Sequence, residues 1–316
     1  MRKLPFALLA ALSIVGSSSA SAADLDYDVL RGTDYEPPVA VVAVDWSGIY
    51  LGGHGGYSSA ALGFNNVFQP IVTTALRETY FESSMNASGL LITRPQRVEG
   101  PSYGVYAGWN YQLDETVLGV EVDYTRFATI GSSENNISRF NVSTDGLFHS
   151  ISLKGLSSTK IEDYGTIRAR GGYAMGNFLP FVTGGLAIGR AQISDTVDIR
   201  TYEYDQAAYR ANAALTDPSQ AVAVQHNGYT NFNPKYPDPS SPPADPKEAK
   251  STLAAPVRYG NAKTKTVGGI ALGAGIEYAI TPSILLRAEY QYVLFNDFDG
   301  HKANVNTVRG GAAVKF

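Results

Sequence analysis

Along most of this chain polar and apolar residues alternate one by one, in segments of roughly 10 to 14 residues. Beyond the N-terminal segment, no run of 18 or more apolar residues breaks the pattern. A period of two places alternate side chains on opposite faces of an extended strand, which a helix cannot do. The segment length suits a strand tilted across a bilayer, and no segment is apolar enough for a spanning helix. The expectation is an all-β fold: an eight-stranded antiparallel up-and-down transmembrane β-barrel with long extracellular loops.

The clearest segments show one greasy and one polar face. In 101–113, Tyr103, Val105, Ala107, Trp109, Tyr111 and Leu113 oppose Ser102, Gly104, Tyr106, Gly108, Asn110 and Gln112. In 116–127, Leu118, Val120, Val122 and Tyr124 oppose Gly119, Glu121, Asp123 and Thr125. The same holds for 164–175, 266–280, 283–295 and 304–316. Two further strands, 46–58 and 178–191, are Gly-rich, and parity alone does not fix which face they turn inward. The joins Asp114-Glu115, Gly176-Asn177 and Thr281-Pro282 are tight turns, whereas 59–100, 128–163 and 192–263 read as long polar loops. The last connection, Asn296 to Ala303, is intermediate. Short turns on one rim and long loops on the other suit a barrel inserted from the periplasm.

If the apolar faces touch lipid, Glu121, Asp123, Glu277 and Glu289 point into the barrel with Arg168, Arg170, Arg287 and Arg309. Four acids then meet four bases. Buried charge is tolerable only when paired, so an ion-pair network filling the lumen is expected. The alternative, a solvated face of a soluble sheet, leaves the apolar opposite positions and the aromatic strand ends unexplained.

At the N-terminus, Arg2 and Lys3 precede an apolar stretch from Leu4 to Val15, then small residues ending in Ala20-Ser21-Ala22. This reads as a secretory signal over 1–22, cut after Ala22 or, second choice, Ala23. Residues 23–45, acidic and then rich in Pro and Val, read as a flexible periplasmic lead-in before a barrel over 46–316. Thirty-two Gly, twenty Tyr and only three Met favour strands and turns over helices. With no cysteine, disulfides, thiolate catalysis and Cys-based metal sites are excluded. A net charge of -4 without a basic face gives no support to nucleic acid as a partner.

No catalytic constellation or metal motif stands out, and the chain is not expected to be an enzyme. His54, His149, His226 and His301 are scattered, without the short spacing of metal ligands. His149 and Ser150 are adjacent, so on an extended segment they point to opposite sides and cannot pair as base and nucleophile.

Four stretches together carry a family likeness: TrpSerGlyIleTyrLeuGlyGlyHisGlyGlyTyr at 46–57, AspTyrGlyThrIleArgAlaArgGlyGlyTyrAla at 163–174, LeuProPheValThrGlyGlyLeuAla at 179–187 and LeuArgAlaGluTyrGlnTyr at 286–292. The set resembles the small outer-membrane β-barrel proteins of alphaproteobacteria, which include surface antigens, porin-like proteins and hemin-binding proteins. The resemblance implies export to the cell outer membrane and contact with its lipid and lipopolysaccharide. It also implies that Phe316 is the terminal aromatic signal read by the barrel assembly machinery. The first expectation for function is a structural and surface-interaction role. A receptor for hemin or another ligand, and a small-solute channel, are the alternatives. For hemin, the best local pair is His226 and Tyr229 among the outward His and Tyr residues. Charges filling so narrow a barrel argue against an open pore. The segment 192–263 is longer than the family pattern, with a Pro-rich stretch at 233–246. It reads either as the seat of what is particular to this chain or as a disordered surface loop. The chain ends on its last strand, so no separate peptidoglycan-binding domain is expected.

Overall fold

The computed structural model describes residues 44–316 except Pro242. The expected signal segment 1–22, and the lead-in as far as residue 43, lie outside the described residues.

Eight antiparallel strands close into a ring: β1 Gly48–Phe64, β2 Gln96–Leu113, β3 Thr116–Val142, β4 Leu147–Tyr173, β5 Phe178–Asp205, β6 Val257–Thr281, β7 Ile284–Phe298 and β8 His301–Lys315. Each pairs with the next, and β8 returns to β1 from Tyr50↔Lys315 to Phe64↔His301. Closure removes the unpaired strand edges that lipid cannot satisfy. The β7–β8 connection is a two-residue turn, with Asp299 and Gly300 both at positive φ (59° and 83°), as a type I′ hairpin requires.

The expected apolar faces point outward: Tyr103, Val105, Trp109, Val120, Val122, Ile167, Leu272 and Val308 are all exposed on the barrel wall. The two Gly-rich strands acquire a facing too. Ile49, Leu51 and Tyr57 of β1 point outward, as do Val182, Leu186 and Ile188 of β5.

The strands are taller than expected. β3, β4, β5 and β6 run for 27, 27, 28 and 25 residues, whereas a tilted crossing takes about 9 to 11. Residues 128–163 are therefore not a loop: β3 and β4 continue upward and turn at Ser143–Gly146. Likewise 192–263 shrinks to the excursion 206–256, and 59–100 to 65–95. The physical reason is an inversion of polarity. Low in the barrel the apolar face points outward; high up, Ile151, Leu153, Ile193, Val197 and Ile199 turn inward, while Ser132, Glu134 and Lys154 are exposed. The inversion coincides with a register shift between Ile161 and Asp163 on β4, opposite Arg126–Thr129 of β3. A bulge of this kind re-aims side chains by one position. Here it leaves Glu162 and Asp163 both beside Arg190, each at 2.8 Å.

The inward apolar face of this tall sheet is capped by 65–95, which carries α1 Gln69–Ala75 and α2 Tyr80–Ser83. Phe68, Val72, Leu76 and Phe81 are buried against it. Gly155 on β4 admits the Phe68 ring, since a Cβ there would meet it at 2.7 Å. The excursion 206–256 is ordered on itself rather than a featureless loop. It holds α3 Gln206–Ala213 and a short pairing of Tyr229–Asn231 with Thr252–Leu253. Asn233 N donates to Ser251 Oγ at 2.9 Å, and Ser251 Oγ donates to Tyr236 O at 2.6 Å.

Candidate functional site

Charges reach the lumen because period two aims them there. Glu121 and Asp123 come from β3, Arg168 and Arg170 from β4, Glu277 from β6, Arg287 and Glu289 from β7, and Arg309 from β8. All eight are buried, none more than 5% exposed. They form one connected set. Arg287 Nη2 lies 2.6 Å from both Glu121 and Glu277. Arg168 bridges Glu121 and Glu289, and Arg170 holds Glu277. Arg309 joins Asp123 at 2.7 Å to Glu289 at 2.9 Å. Every carboxylate has a guanidinium neighbour, and the formal charges of the eight cancel, which limits the desolvation cost of burying them.

Sequence reasoning missed the aromatic and imidazole partners. Tyr50 of β1 donates to Glu121 at 2.8 Å and accepts from Arg170 at 3.2 Å. His54 Nε2 lies 3.0 Å from Asp123 and 3.1 Å from Arg309. The Arg287 guanidinium stacks 4.0 Å from the Tyr106 ring centre, and Arg170 lies 4.1 Å from that of Phe181, a cation–π arrangement. Gly52 makes room for Tyr106, whose ring a Cβ would meet at 2.6 Å. A missed signal lay in β1 itself, where Ile49, Leu51 and Tyr57 share a parity that Tyr50 and His54 oppose. Intervening glycines mask it.

The set is sealed at both ends. Toward the short turns, Trp46, Val117, Leu179, Ala279, Leu285 and Ala313 form an apolar layer. Toward the outer rim, Ser58, Ser102 and Thr307 make a hydroxyl cluster at 2.7–2.8 Å, and the capped apolar core lies above it. Side chains thus fill the cross-section, as the width of an eight-stranded barrel allows.

The histidines do not converge. His301 is buried on β8, 2.7 Å from Thr159 and 3.0 Å from Asp195. His149, also a strand residue rather than a loop residue, stacks on Tyr80 of the cap at 3.9 Å between ring centres. Its Nδ1 lies 2.9 Å from Glu203 and its Nε2 3.2 Å from Ser143 Oγ. That order resembles an acid–base–nucleophile relay, but Ser143 donates its hydroxyl to Asp145 within the turn. The arrangement ties the β3–β4 tip to β5 and the cap. His226 is exposed and stacks on Phe232 at 3.8 Å, with Tyr229 at 5.9 Å. Tyr229 donates its hydroxyl to Pro237 O at 2.8 Å, and burial pushes its phenol well above the ordinary range. Among the described residues no group of three or more potential metal ligands gathers.

Residues 7–316 match the family described as outer membrane protein beta-barrel domain. The chain belongs to that family. It is a β-barrel protein of the cell outer membrane. The 31 kDa outer-membrane immunogenic protein of Brucella melitensis is 27% identical over 320 residues, covering 98% of each chain. The 22 kDa outer membrane protein of Rhizobium leguminosarum is 29% identical over 153 residues, 48% of each. Among solved structures, Neisserial surface protein A aligns over 85% of this chain and 98% of its own, at 13% identity and a TM-score of 0.33. OprG from Pseudomonas aeruginosa aligns over 85% and 96%, at 11% identity and a TM-score of 0.28.

Proposed function

We propose that this outer-membrane barrel is a closed structural and surface-interaction protein, neither a channel nor an enzyme. The observation that carries this reading is the continuous filling of the lumen by Glu121, Asp123, Arg168, Arg170, Glu277, Arg287, Glu289 and Arg309 between two apolar layers. What stands clear of the membrane is the tall sheet, its cap and the excursion 206–256, and these meet partners outside the cell. Lipid and lipopolysaccharide surround the wall. Phe316, 78% exposed on the outward face with its N–H donated to Ile49 O at 2.9 Å, serves the barrel assembly machinery as its terminal signal. Swelling of liposomes loaded with the refolded protein tests closure: no swelling in isotonic small sugars supports it, and swelling as fast as with a porin refutes it.

A second reading, a receptor for hemin, draws on the exposed His226 beside the rings of Phe232 and Tyr229. In that reading His226 is the iron ligand and Tyr229 an apolar wall.

A further inference from the structure

The tip of the tall sheet holds a histidine whose two ring nitrogens both face acceptors. His149 of β4 is buried on the inward side, in line with Ile151 and Leu153. Its Nδ1 lies 2.9 Å from a carboxylate oxygen of Glu203, which has no hydrogen to give. Its Nε2 lies 3.2 Å from Ser143 Oγ. That hydroxyl has a single hydrogen and directs it at Asp145, with Leu147 O at 3.2 Å as a further acceptor. The Asp145 carboxyl is accordingly held below its usual range, chiefly by the Ser143 hydroxyl. A neutral imidazole carries one N–H, so either tautomer sets a ring lone pair against an oxygen lone pair. The imidazolium carries two and satisfies both sides.

The cap rests on this ring. Tyr80, the first residue of α2, stacks on it at 3.9 Å between centres with planes 19° apart, and Phe81 meets it edge-on at 5.8 Å. Tyr80 OH accepts from Asn141 Nδ2 at 2.9 Å, which holds the phenol in place. A cation over a phenol face is attracted by it, more strongly where water is excluded. The other charged groups of the surrounding elements are engaged elsewhere. Glu82 of α2 accepts from Ser88 N and Oγ at 3.0 and 2.6 Å, and Asp205 of β5 accepts from Ala208 N at 2.8 Å. Arg139 of β3 donates to Ser138 O at 3.1 Å, and Arg77 and Glu78, ahead of α2, are exposed. Asn227 Nδ2 donates to the second oxygen of Glu203 at 3.3 Å. Among the described residues His149 is thus the one cation that faces Glu203 and Asp145.

We propose that His149 is a pH-sensitive latch for the α2 corner of the cap: protonated, it clasps Tyr80, and on losing its proton it releases Tyr80–Ser83 from the sheet. The sign follows from linkage. Docking favours the imidazolium and so takes up a proton; acid fastens the latch, and rising pH undoes it. The rest of the cap is pinned by Phe68, Val72 and Leu76, which carry no charge, so release is confined to α2 and uncovers Phe81 beside the inward apolar face. What the barrel presents outside the cell thus changes with external pH. His301, buried on β8, lacks this constraint. Thr159 Oγ1, 2.7 Å from its Nδ1, has a hydrogen to give while Nε2–H faces Asp195, so its neutral ring is satisfied. The latch lies above the lumen charges and stands whether or not liposome swelling refutes closure.

The test uses the full refolded chain in lipid nanodiscs. Because the chain has no cysteine, Ser84→Cys at the end of α2 and Ser132→Cys on β3 carry two spin labels, and pulsed electron resonance reads the distance between them. The expected result is one narrow distance at about pH 5.5 and, at about pH 8.5, a displaced population about fivefold or more larger. His149→Phe, which keeps a ring against Tyr80 with no proton to gain, gives the same distribution at both pH values. Glu203→Gln, which keeps the shape and removes the carboxylate, shrinks the change. Heat-modifiable migration of each variant stays as in the parent. The proposal is overturned by a parent distribution that does not move with pH, by a displaced population larger in acid, or by a change that survives His149→Phe undiminished.

Discussion

Arg309, on the last strand, places its guanidinium 2.7 Å from the carboxylate of Asp123, 186 residues earlier on β3. The contact spans the lumen and bonds together strands that are not neighbours in the ring. A barrel held this way resists opening from within as well as along its ladders.

Replacing Arg309 by Met leaves Asp123 and Glu289 facing each other's charge without it. The expected cost is about 3 to 5 kcal/mol of stability, the loss typical of breaking one partner of a buried pair. Urea unfolding of the refolded barrel in liposomes measures it. Adding Asp123→Asn recovers part of the loss; equal stabilities for parent and single variant would remove the network from the account.

Terminal assembly has its own signature. Deleting Phe316, or exchanging it for Asp, lowers the amount of folded barrel in the outer membrane, seen as loss of the heat-modifiable band. Because Phe316 is exposed and its main contribution to the fold is one backbone hydrogen bond, the refolded variant keeps nearly the parent's stability in vitro. A large loss of stability in vitro would instead make the residue structural.

Phe68→Ala separates the upper half from the lower. Removing a buried Phe costs about 3 to 5 kcal/mol, and the cavity opens beneath the cap. Exchange of amides in 131–142 and 147–161 quickens, while that of 117–124 and 166–172 is unchanged. Uniform quickening would mean that the cap core and the membrane-spanning barrel unfold as one unit.

How far these relationships were legible depends on which property of a side chain carried the signal. Where lipid and lumen lie on either side, as at Val120 against Glu121, period two is unmistakable, and the facing of all eight lumen charges follows from it. Above the membrane the outward face of β3 turns polar while the inward Ser133 is polar as well, so the run from Ser132 to Asn136 reads as a loop although it continues β3. The alternation of Ile151 and Leu153 with Ser152 and Lys154 held the missing strand signal. Tyr50 and His54 were obscured for another reason: glycine at 52, 53, 55 and 56 has no side chain with which to declare a face. The cap and the excursion 206–256 obey no period, since their packing is set by contacts across the fold, such as Phe68 against Gly155.

If hemin binds, titration of the refolded barrel gives a Soret shift that His226→Ala abolishes and Tyr229→Phe leaves intact. The reason is the raised phenol of Tyr229, which disfavours the phenolate that iron would need. The same shift sets a pH dependence. With the folded-state pKa above the ordinary 10, the stabilisation of the excursion by uncharged Tyr229 is complete below about pH 10 and is lost as pH rises through the raised value. Tyrosine absorbance during an alkaline titration checks it: the number of phenols that titrate late falls by one in Tyr229→Phe. A shift lost in Tyr229→Phe would reverse the assignment of ligand.

Single-channel recording in a planar bilayer addresses the closed lumen itself. The refolded protein is predicted to insert without stepwise conductance in either polarity, because Arg287, Glu121 and Glu277 meet at the centre between two apolar layers. Discrete, reproducible open levels in the parent, at a frequency that scales with inserted barrels, would contradict it.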